Sequence, residues 1–179
     1  MIIARLEKGY VQVYTGNSKG KTTAALGLAF RAMGCGLRTY IGQFMKGLHS
    51  SELISAKMVS EFITIEQFGR GALFSPLTPP TENDFKLAGA GIEKIRAAMF
   101  SGKYSIVILD EINTAIFFKL VEIKEILKLI KEKPDRIELV LTGRNAPPEL
   151  IQEADLVTEM VEVKHYYRKG VLPREGIER

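Results

Sequence analysis

The sequence is poor in the residues that build disulfides, cysteine-rich metal sites and membrane spans. Its 179 residues include one cysteine, Cys35, and no tryptophan. A single cysteine excludes an internal disulfide and a zinc site made of several cysteines. No run of eighteen uncharged apolar residues occurs, so we expect neither a membrane span nor a secretory signal. A reduced, cytoplasmic protein fits these absences best.

The composition is that of an ordinary folded protein. Hydrophobic residues make up 46% of the chain and charged residues 26%, and neither a repeat nor a disordered segment stands out. The length suits a single domain over residues 1–179. The net charge is +4, but both signs are interspersed and no basic stripe with stacking aromatics occurs. This charge suits a small anionic ligand, and we expect no nucleic acid partner.

Strand and helix patterns alternate along the whole chain. The predicted strands are 10–14, 37–44, 62–67, 104–109, 137–142 and 156–163. The predicted helices are 22–33, 52–59, 81–100, 113–133 in two pieces, and 147–153. Such alternation predicts an α/β fold with an open, mostly parallel sheet of about six strands and helices on both faces. A ligand is then expected at the carboxyl ends of the strands.

Residues 14–23 read YTGNSKGKTT between the first strand and the first helix. This is the context of a phosphate-binding loop. Gly16 and Gly20 allow backbone N–H groups to curl around an anion, Lys21 adds a positive charge, and Thr22 offers a hydroxyl to Mg²⁺. The usual pattern has a glycine five positions before the Gly-Lys pair, where this chain has Thr15. We therefore predict a triphosphate site in which the phosphates need not lie as they do in kinases.

Two further segments carry polar residues after buried strands. Asp110 and Glu111 end the strand 104–109, where the acidic metal-binding position of such nucleotide sites belongs. Asp110 could equally cap the following helix. Arg144 follows the strand 137–142 and could either bind phosphate or remain a solvated loop residue. His165, next to two tyrosines, is interpreted as a packed or surface residue.

The segment 68–80 is the longest irregular stretch and contains Gly69-Arg70-Gly71 and three prolines. Loops of this length are often binding loops. Phe68 and Phe74, and also Phe44 with Met45, could line a wide apolar mouth above the nucleotide. The alternative for each aromatic residue is ordinary core packing.

Several motifs together resemble one known family. They are YTGNSKGKTTAA at 14–25, QFMKG at 43–47, ILDE at 108–111, LTGR at 141–144, ADLVTEM at 154–160, VKH at 163–165 and GIE at 176–178. In this order they are similar to the P-loop type of corrinoid adenosyltransferase, the cob(I)alamin adenosyltransferase of cobalamin biosynthesis and salvage. The similarity extends over nearly the whole chain from Gly9. It implies a P-loop NTPase-like (RecA-like) three-layer α/β/α fold.

The resemblance implies transfer of the 5′-deoxyadenosyl group of ATP to the Co(I) of a reduced corrinoid, with release of triphosphate. The resemblance implies that Lys21, Thr22 and Glu111 are catalytic. It also implies that magnesium is bound by Thr22, Asp110 and Glu111. The residues implied to hold ATP are Gly16, Asn17, Ser18, Lys19, Gly20, Lys21, Thr22, Thr23 and Arg144. Those on the corrinoid side are Phe44, Gly69, Arg70, Gly71 and Phe74. Family members often have a tryptophan in that last segment, where this chain has Leu73 and Phe74.

The family also implies a homodimer and a reductase or flavoprotein that supplies Co(I). Two other functions stay open from the residues alone. A P-loop ATPase or kinase would use Glu111 to position water or an acceptor hydroxyl and would release ADP. A nucleotide-dependent binding module would bind a partner without turnover.

Overall fold

The computed structural model describes residues 5–71 and 78–178. Six strands form one sheet in the described residues. They are β1 (Val11–Thr15), β2 (Thr39–Phe44), β3 (Ile63–Phe68), β4 (Ile106–Asp110), β5 (Glu138–Thr142) and β6 (Leu156–Glu159). All neighbouring strands are parallel, in the order β3-β2-β4-β5-β1-β6. The parallel arrangement brings all six carboxyl ends to one edge of the sheet.

Six α-helices connect the strands in the described part of the chain. They are α1 (Lys21–Met33), α2 (Ser51–Met58), α3 (Glu82–Phe100), α4 (Ile112–Phe117), α5 (Ile123–Glu132) and α6 (Pro148–Glu153). None of these helices is long and apolar enough to cross a membrane. Each lies within one or two residues of its predicted position, because apolar residues at helical spacing and glycine or proline at the ends mark the helices in the sequence.

Both faces of the sheet are covered by helices. On one face, the small residues Ala25, Ala29 and Ala32 of α1 pack with Ile106 and Ile108 of β4. On the other face, Val107 and Leu109 pack in a larger cluster with side chains of α3, α4, α5 and α6. Because alternate residues of one strand point to opposite faces, a strand buried on both faces is apolar throughout. The predicted three-layer α/β/α fold is confirmed.

The last strand is shorter than predicted. β6 ends at Glu159 rather than at residue 163, and all four of its residues are exposed at the sheet edge. Its neighbour among the described strands, β1, ends at Thr15, so the pairing of these two strands stops at Glu159. Met160 instead turns onto the loop after β1: its N–H donates to the Thr15 carbonyl, and its carbonyl accepts from the N–H of Ser18. The end of β6 therefore shapes the predicted phosphate loop.

Candidate active site

The loop between β1 and α1 has the backbone that its glycines predicted. Gly16 and Gly20 have φ angles of 99° and 122°, which side chains disfavour. At Gly16 an added Cβ would lie only 2.4 Å from the carbonyl oxygen of Met160. Glycine is therefore required there for two reasons, the backbone conformation and the close approach of the chain after β6.

Lys21 lies inside this loop and is only 5% exposed. Its ammonium donates to the carbonyl oxygens of Gly16, at 2.8 Å, and Ser18, at 2.6 Å. Burial lowers the pKa of Lys21, and Glu111 and Asp110 oppose that shift. The loop thus holds a cation whose preferred partner is an anion.

Asp110, at the end of β4, is fully buried and accepts hydrogen bonds from four side chains. Its Oδ1 accepts from the hydroxyls of Thr22, at 2.9 Å, and Thr142, at 2.7 Å. Its Oδ2 accepts from Gln43 Nε2, at 3.1 Å, and Lys46 Nζ, at 2.9 Å. The carboxylate therefore joins the start of α1 to the ends of β2 and β5. The alternative role of Asp110 as the cap of the following helix is not found, because the N-cap residue of α4 is Glu111.

Glu111 is held in an uncommon backbone conformation. Its φ is 63°, in the left-handed region, which costs a residue with a side chain about 1–2 kcal/mol. Its N–H donates to the Thr142 hydroxyl at 3.0 Å, and its Oε2 accepts from the Thr114 hydroxyl at 2.6 Å. These contacts fix the position of Glu111, which lines one cavity together with residues 18–23 of the loop.

Lys46 and Gln43 are site residues that the sequence interpretation did not assign. Both belong to the QFMKG motif, which was used only for the resemblance. Lys46 bridges two carboxylates, Asp110 and Glu52, the latter at 3.5 Å. Burial alone would lower the pKa of Lys46, but the charges of Asp110 and Glu52 outweigh burial and raise it. In the sequence Lys46 follows the end of a strand by two residues, but only the strand order brings it to Asp110.

The oxygen atoms at this edge suit a magnesium ion. Mg²⁺ prefers oxygen ligands at about 2.0–2.1 Å in octahedral geometry and usually takes one or two carboxylates together with substrate phosphates. Neighbouring ligands of such an ion lie about 2.9 Å apart, and Thr22 Oγ1 and Asp110 Oδ1 are separated by 2.9 Å. No group of three or more histidine, cysteine or acidic side chains in residues 5–71 and 78–178 could hold a metal alone. The protein atoms therefore fit Mg²⁺ only as a partner of bound phosphates.

Three cavities meet at this edge of the sheet. The smallest, of about 240 Å³, is here called the phosphate cavity after the predicted loop, and it is lined by residues 18–23 with Glu111, Arg144, His165, Ile177 and Glu178. A second, of about 720 Å³, lies over α1 and α2 and includes Thr22, Leu26 and Val59. A third, of about 650 Å³, lies between residues 44–50 and α4 and includes Leu48, Phe117 and Phe118. Glu111 and Glu178 line all three cavities, so they mark the junction between a polar pocket and two largely apolar ones.

Arg144 lies where two of these cavities join. Its backbone N–H donates to Thr114 Oγ1 at 3.0 Å, its side chain is exposed, and it lines both the phosphate cavity and the third cavity. Gly143, with φ of 134°, makes the turn possible, since an added Cβ would lie 2.8 Å from the Thr114 nitrogen. The side chain can therefore reach a ligand in either cavity.

The residues predicted on the corrinoid side occupy different environments. The Phe44 side chain is fully buried, with its ring 5.8 Å from that of Phe68, so it belongs to the core although its residue borders the third cavity. Gly69 packs against the Met45 backbone, and Gly71 lines the third cavity. Phe74 lies outside the described residues. Strand β2 is buried along its whole length, which is why an aromatic residue there packs inward.

Arg70, also predicted on that side, forms an ion pair with Asp84 in the first turn of α3. Its Nε donates to the carboxylate at 2.9 Å. Thr81, the N-cap residue of α3, donates to the same carboxylate through its N–H, at 2.8 Å, and its hydroxyl, at 2.7 Å. The contact of the N–H is part of a capping box. Arg70 lowers the pKa of Asp84 to about 2. The ion pair thus joins the chain after β3 to the first turn of α3.

Replacing Asp84 by asparagine is expected to lower the free energy of unfolding by about 1–2 kcal/mol at pH 7. The expected loss is limited because the Arg70 side chain is 44% exposed and solvent screens the ion pair. The folded-state pKa is depressed, so the stabilisation is complete above pH 3.8 and is lost as the pH falls through about 2. Urea unfolding of both proteins between pH 2 and 7 measures this. The Glu122→Gln variant, which breaks a largely exposed pair with Lys124, is the control. A difference between Asp84→Asn and wild type that stays constant over this range would contradict the assigned pKa.

Comparison with known proteins identifies the family. A family model described as ATP:corrinoid adenosyltransferase BtuR/CobO/CobP matches residues 7–179. The chain belongs to this family. A corrinoid adenosyltransferase of Sinorhizobium is 38% identical over 178 aligned positions, covering 96% of this chain and 81% of that protein. The enzyme of Pseudomonas aeruginosa is 34% identical, covering 98% and 86%.

Membership settles the class of reaction. Corrinoid adenosyltransferases transfer the adenosyl group of ATP to a corrinoid, so this chain is a transferase of that kind. The corrinoid adenosyltransferase of Escherichia coli K12, 29% identical over 98% of this chain and 88% of its own length, agrees with this. The resemblance inferred from the ordered motifs is confirmed.

A solved structure supports the fold independently. A KaiC-like protein from Pyrococcus horikoshii superposes with a TM-score of 0.52 over 88% of this chain and 75% of its own, at 16% sequence identity. At that identity the similarity concerns the fold alone. It supports the α/β fold described above.

Proposed function

We propose that the loop 16–20 binds the triphosphate of ATP, and that the corrinoid lies in the third cavity with its Co(I) facing the ribose 5′-carbon. The observation that carries this proposal is the junction of the phosphate cavity with two apolar cavities beside Lys21, Asp110 and Glu111. A triphosphate needs cations and N–H donors, whereas a nucleoside and a corrin ring need apolar surface. Both kinds of surface meet here.

The triphosphate is held by charge and by backbone donors. Gly16, Asn17, Ser18 and Gly20 provide the curve of the loop, and α1 begins directly behind it, so its N-terminal N–H groups also face the anion. Lys21 exchanges the carbonyls of Gly16 and Ser18 for phosphate oxygens. Lys19, Thr23 and Arg144 line the same cavity and add further donors.

Magnesium, when bound, neutralises the phosphates. Thr22 and Asp110 supply the oxygen atoms with fitting separation, and Glu111 extends this set towards the cavity. Lys46 neutralises the second oxygen of Asp110, so the carboxylate does not add a full negative charge beside the triphosphate. The residues Thr142 and Gln43 orient Asp110.

The corrinoid is expected on the apolar side of the third cavity. Phe117 is 57% exposed and Leu48 is 65% exposed, although large apolar side chains are usually buried. The rings of Phe117 and Phe118 lie 5.3 Å apart at 85°. Gly71 lines the same cavity. These surfaces suit a large, flat and partly apolar substrate.

In the reaction, the electron pair of Co(I) attacks the ribose 5′-carbon. A cobalt–carbon bond forms while the carbon–oxygen bond to the α-phosphate breaks, and the triphosphate leaves with that bonding pair. The nucleophile belongs to the substrate, so the protein's work is to align the two substrates and to stabilise the departing charge. No proton has to be transferred, which agrees with a site made of lysine, threonine and carboxylates rather than of a nucleophile with its base.

An anaerobic assay with Mg-ATP and chemically reduced cobalamin tests the proposal. The expected products are a light-sensitive cobalt–carbon compound, seen in the corrinoid spectrum, and one equivalent of inorganic triphosphate. ADP serves as the control nucleotide, because it lacks one of the three phosphates that the loop is proposed to hold. ADP and phosphate as products, with an unchanged corrinoid spectrum, would instead indicate an ATPase or kinase.

The wider expectations from the family stay predictions. They are a homodimer, a reductase or flavoprotein that supplies Co(I), and a cytoplasmic location. The oligomeric state can be measured by sedimentation with and without ATP.

A further inference from the structure

Residues 174–178, here called the return turn, fold back onto the phosphate loop. Gly176 has a φ of 72°, and the N–H of Glu178 donates to the Arg174 carbonyl at 3.0 Å, so the chain reverses direction. As a result Ile177 and Glu178 form part of the wall of the phosphate cavity. The loop residue Lys19, 159 positions earlier, donates to Glu178 Oε1 at 3.0 Å and to the Ile177 carbonyl at 2.6 Å.

Glu178 is itself held from the side away from the loop. Arg174 donates to its carboxylate from the backbone N–H at 2.9 Å, from Nε at 3.3 Å and from Nη2 at 3.2 Å. The Tyr166 hydroxyl donates to Oε1, and the Arg174 guanidinium lies over the Tyr166 ring at 5.1 Å. The Glu178 side chain is therefore only 14% exposed and has a defined orientation.

The contacts of Lys19 leave it free for one more acceptor. An ammonium group has three N–H donors, of which Ile177 and Glu178 take two. A lysine on a surface loop normally samples many rotamers, and fixing one costs conformational entropy at the moment of binding. Here that ordering is already present, and the ammonium lies in the lining of the phosphate cavity.

We propose that Glu178 is a positioning residue for the triphosphate: together with the Ile177 carbonyl it holds Lys19 at the phosphate loop, so that the third N–H of Lys19 can bind a phosphate oxygen. The Lys19 side chain of this ion pair is 37% exposed, and such partly exposed pairs contribute little to stability, so the function of this pair lies in the geometry it imposes. The inference rests on the proposed function for the identity of the ligand, a triphosphate.

The test combines three variants, Glu178→Gln, Lys19→Met and the double substitution, with calorimetric binding of Mg-ATP and of inorganic triphosphate without corrinoid. We expect Glu178→Gln to weaken the binding of both ligands about 3- to 10-fold, and Lys19→Met to weaken it about 10-fold. The double variant is expected to match Lys19→Met within about twofold, because Glu178 acts through Lys19. In the corrinoid assay, KM for ATP rises by the same factor while kcat changes less than about twofold.

The matched control is Glu162→Gln, which removes an acidic partner of Arg168 in the same region but outside the three cavities. Melting temperatures of all variants show whether the fold is kept. Three results would each overturn the positioning role. They are additive effects of the two substitutions, tighter binding of ATP to Glu178→Gln, and weaker binding of ATP with unchanged binding of triphosphate. Because binding is measured without corrinoid, these outcomes are separate from a failure of wild type to form the cobalt–carbon bond, which would overturn the proposed function instead.

Discussion

Replacing Lys21 by alanine is expected to lower kcat for cobalt–carbon bond formation about 100- to 1000-fold, with a smaller rise in KM for ATP. The negative charge of the triphosphate grows as the carbon–oxygen bond breaks, so a fixed cation stabilises the transition state more than the bound substrate. Lys21 is 5% exposed and already points into the loop, so its charge acts where water does not screen it.

Single-turnover measurement under anaerobic conditions, with triphosphate and the corrinoid spectrum followed together, gives this effect directly. The Lys128→Ala variant is the matched control, because Lys128 lies on the exposed side of α5, outside the three cavities that meet at the sheet edge. It should retain wild-type rates. Wild-type kcat in Lys21→Ala would show that the loop does not hold the departing triphosphate.

Replacing Asp110 by asparagine is expected to lower the free energy of unfolding by about 2–4 kcal/mol and to reduce activity strongly. Removal of one partner from a buried ion pair leaves the other uncompensated, which costs about 3–5 kcal/mol when both are buried. Lys46 is 29% exposed and keeps Glu52 as a partner at 3.5 Å, so the expected loss is smaller. In addition, the asparagine NH₂ group would face donors from Thr22, Thr142, Gln43 or Lys46, and at least one donor would lose its acceptor.

Urea unfolding at pH 7 measures this loss, and Glu122→Gln, at the largely exposed pair with Lys124, should change stability by less than about 0.5 kcal/mol. The Lys46→Met substitution should cost less stability in Asp110→Asn than in wild type, because the contact with Asp110 is already lost and only the pair with Glu52 remains. That difference separates the electrostatic cause from a packing defect. An Asp110→Asn protein as stable as wild type would contradict the ion pair between Asp110 and Lys46.

Much of the site could be predicted because its central part is local in sequence. A phosphate loop needs its glycines, lysine and threonine within a few residues, and the strand before it and the helix after it leave their own patterns. Asp110 and Glu111 were predicted for a related reason: an acidic pair directly after an apolar strand stands out. The parallel sheet then brings both segments to the same edge.

The residues that were missed act across the sheet. Lys46 and Gln43 reach Asp110 only because β2 and β4 are neighbours, and Thr142 reaches it because β5 lies between β4 and β1. No spacing in the sequence indicates that strand order. The buried position of Phe44 has the same origin, since β2 is covered on both faces, and an aromatic residue in a strand does not reveal whether a ligand or a helix covers it.

By itself, then, the sequence determined the α/β alternation, the phosphate loop, the acidic pair and the family, all of which depend on short-range patterns or on their order along the chain. Tertiary structure alone decided which donors saturate Asp110, where three cavities meet, and that Glu178 returns to hold Lys19 from 159 residues away. The physical reason is that hydrogen-bond geometry and burial depend on which strands and turns become neighbours, and chains with the same local patterns can satisfy those contacts with different partners.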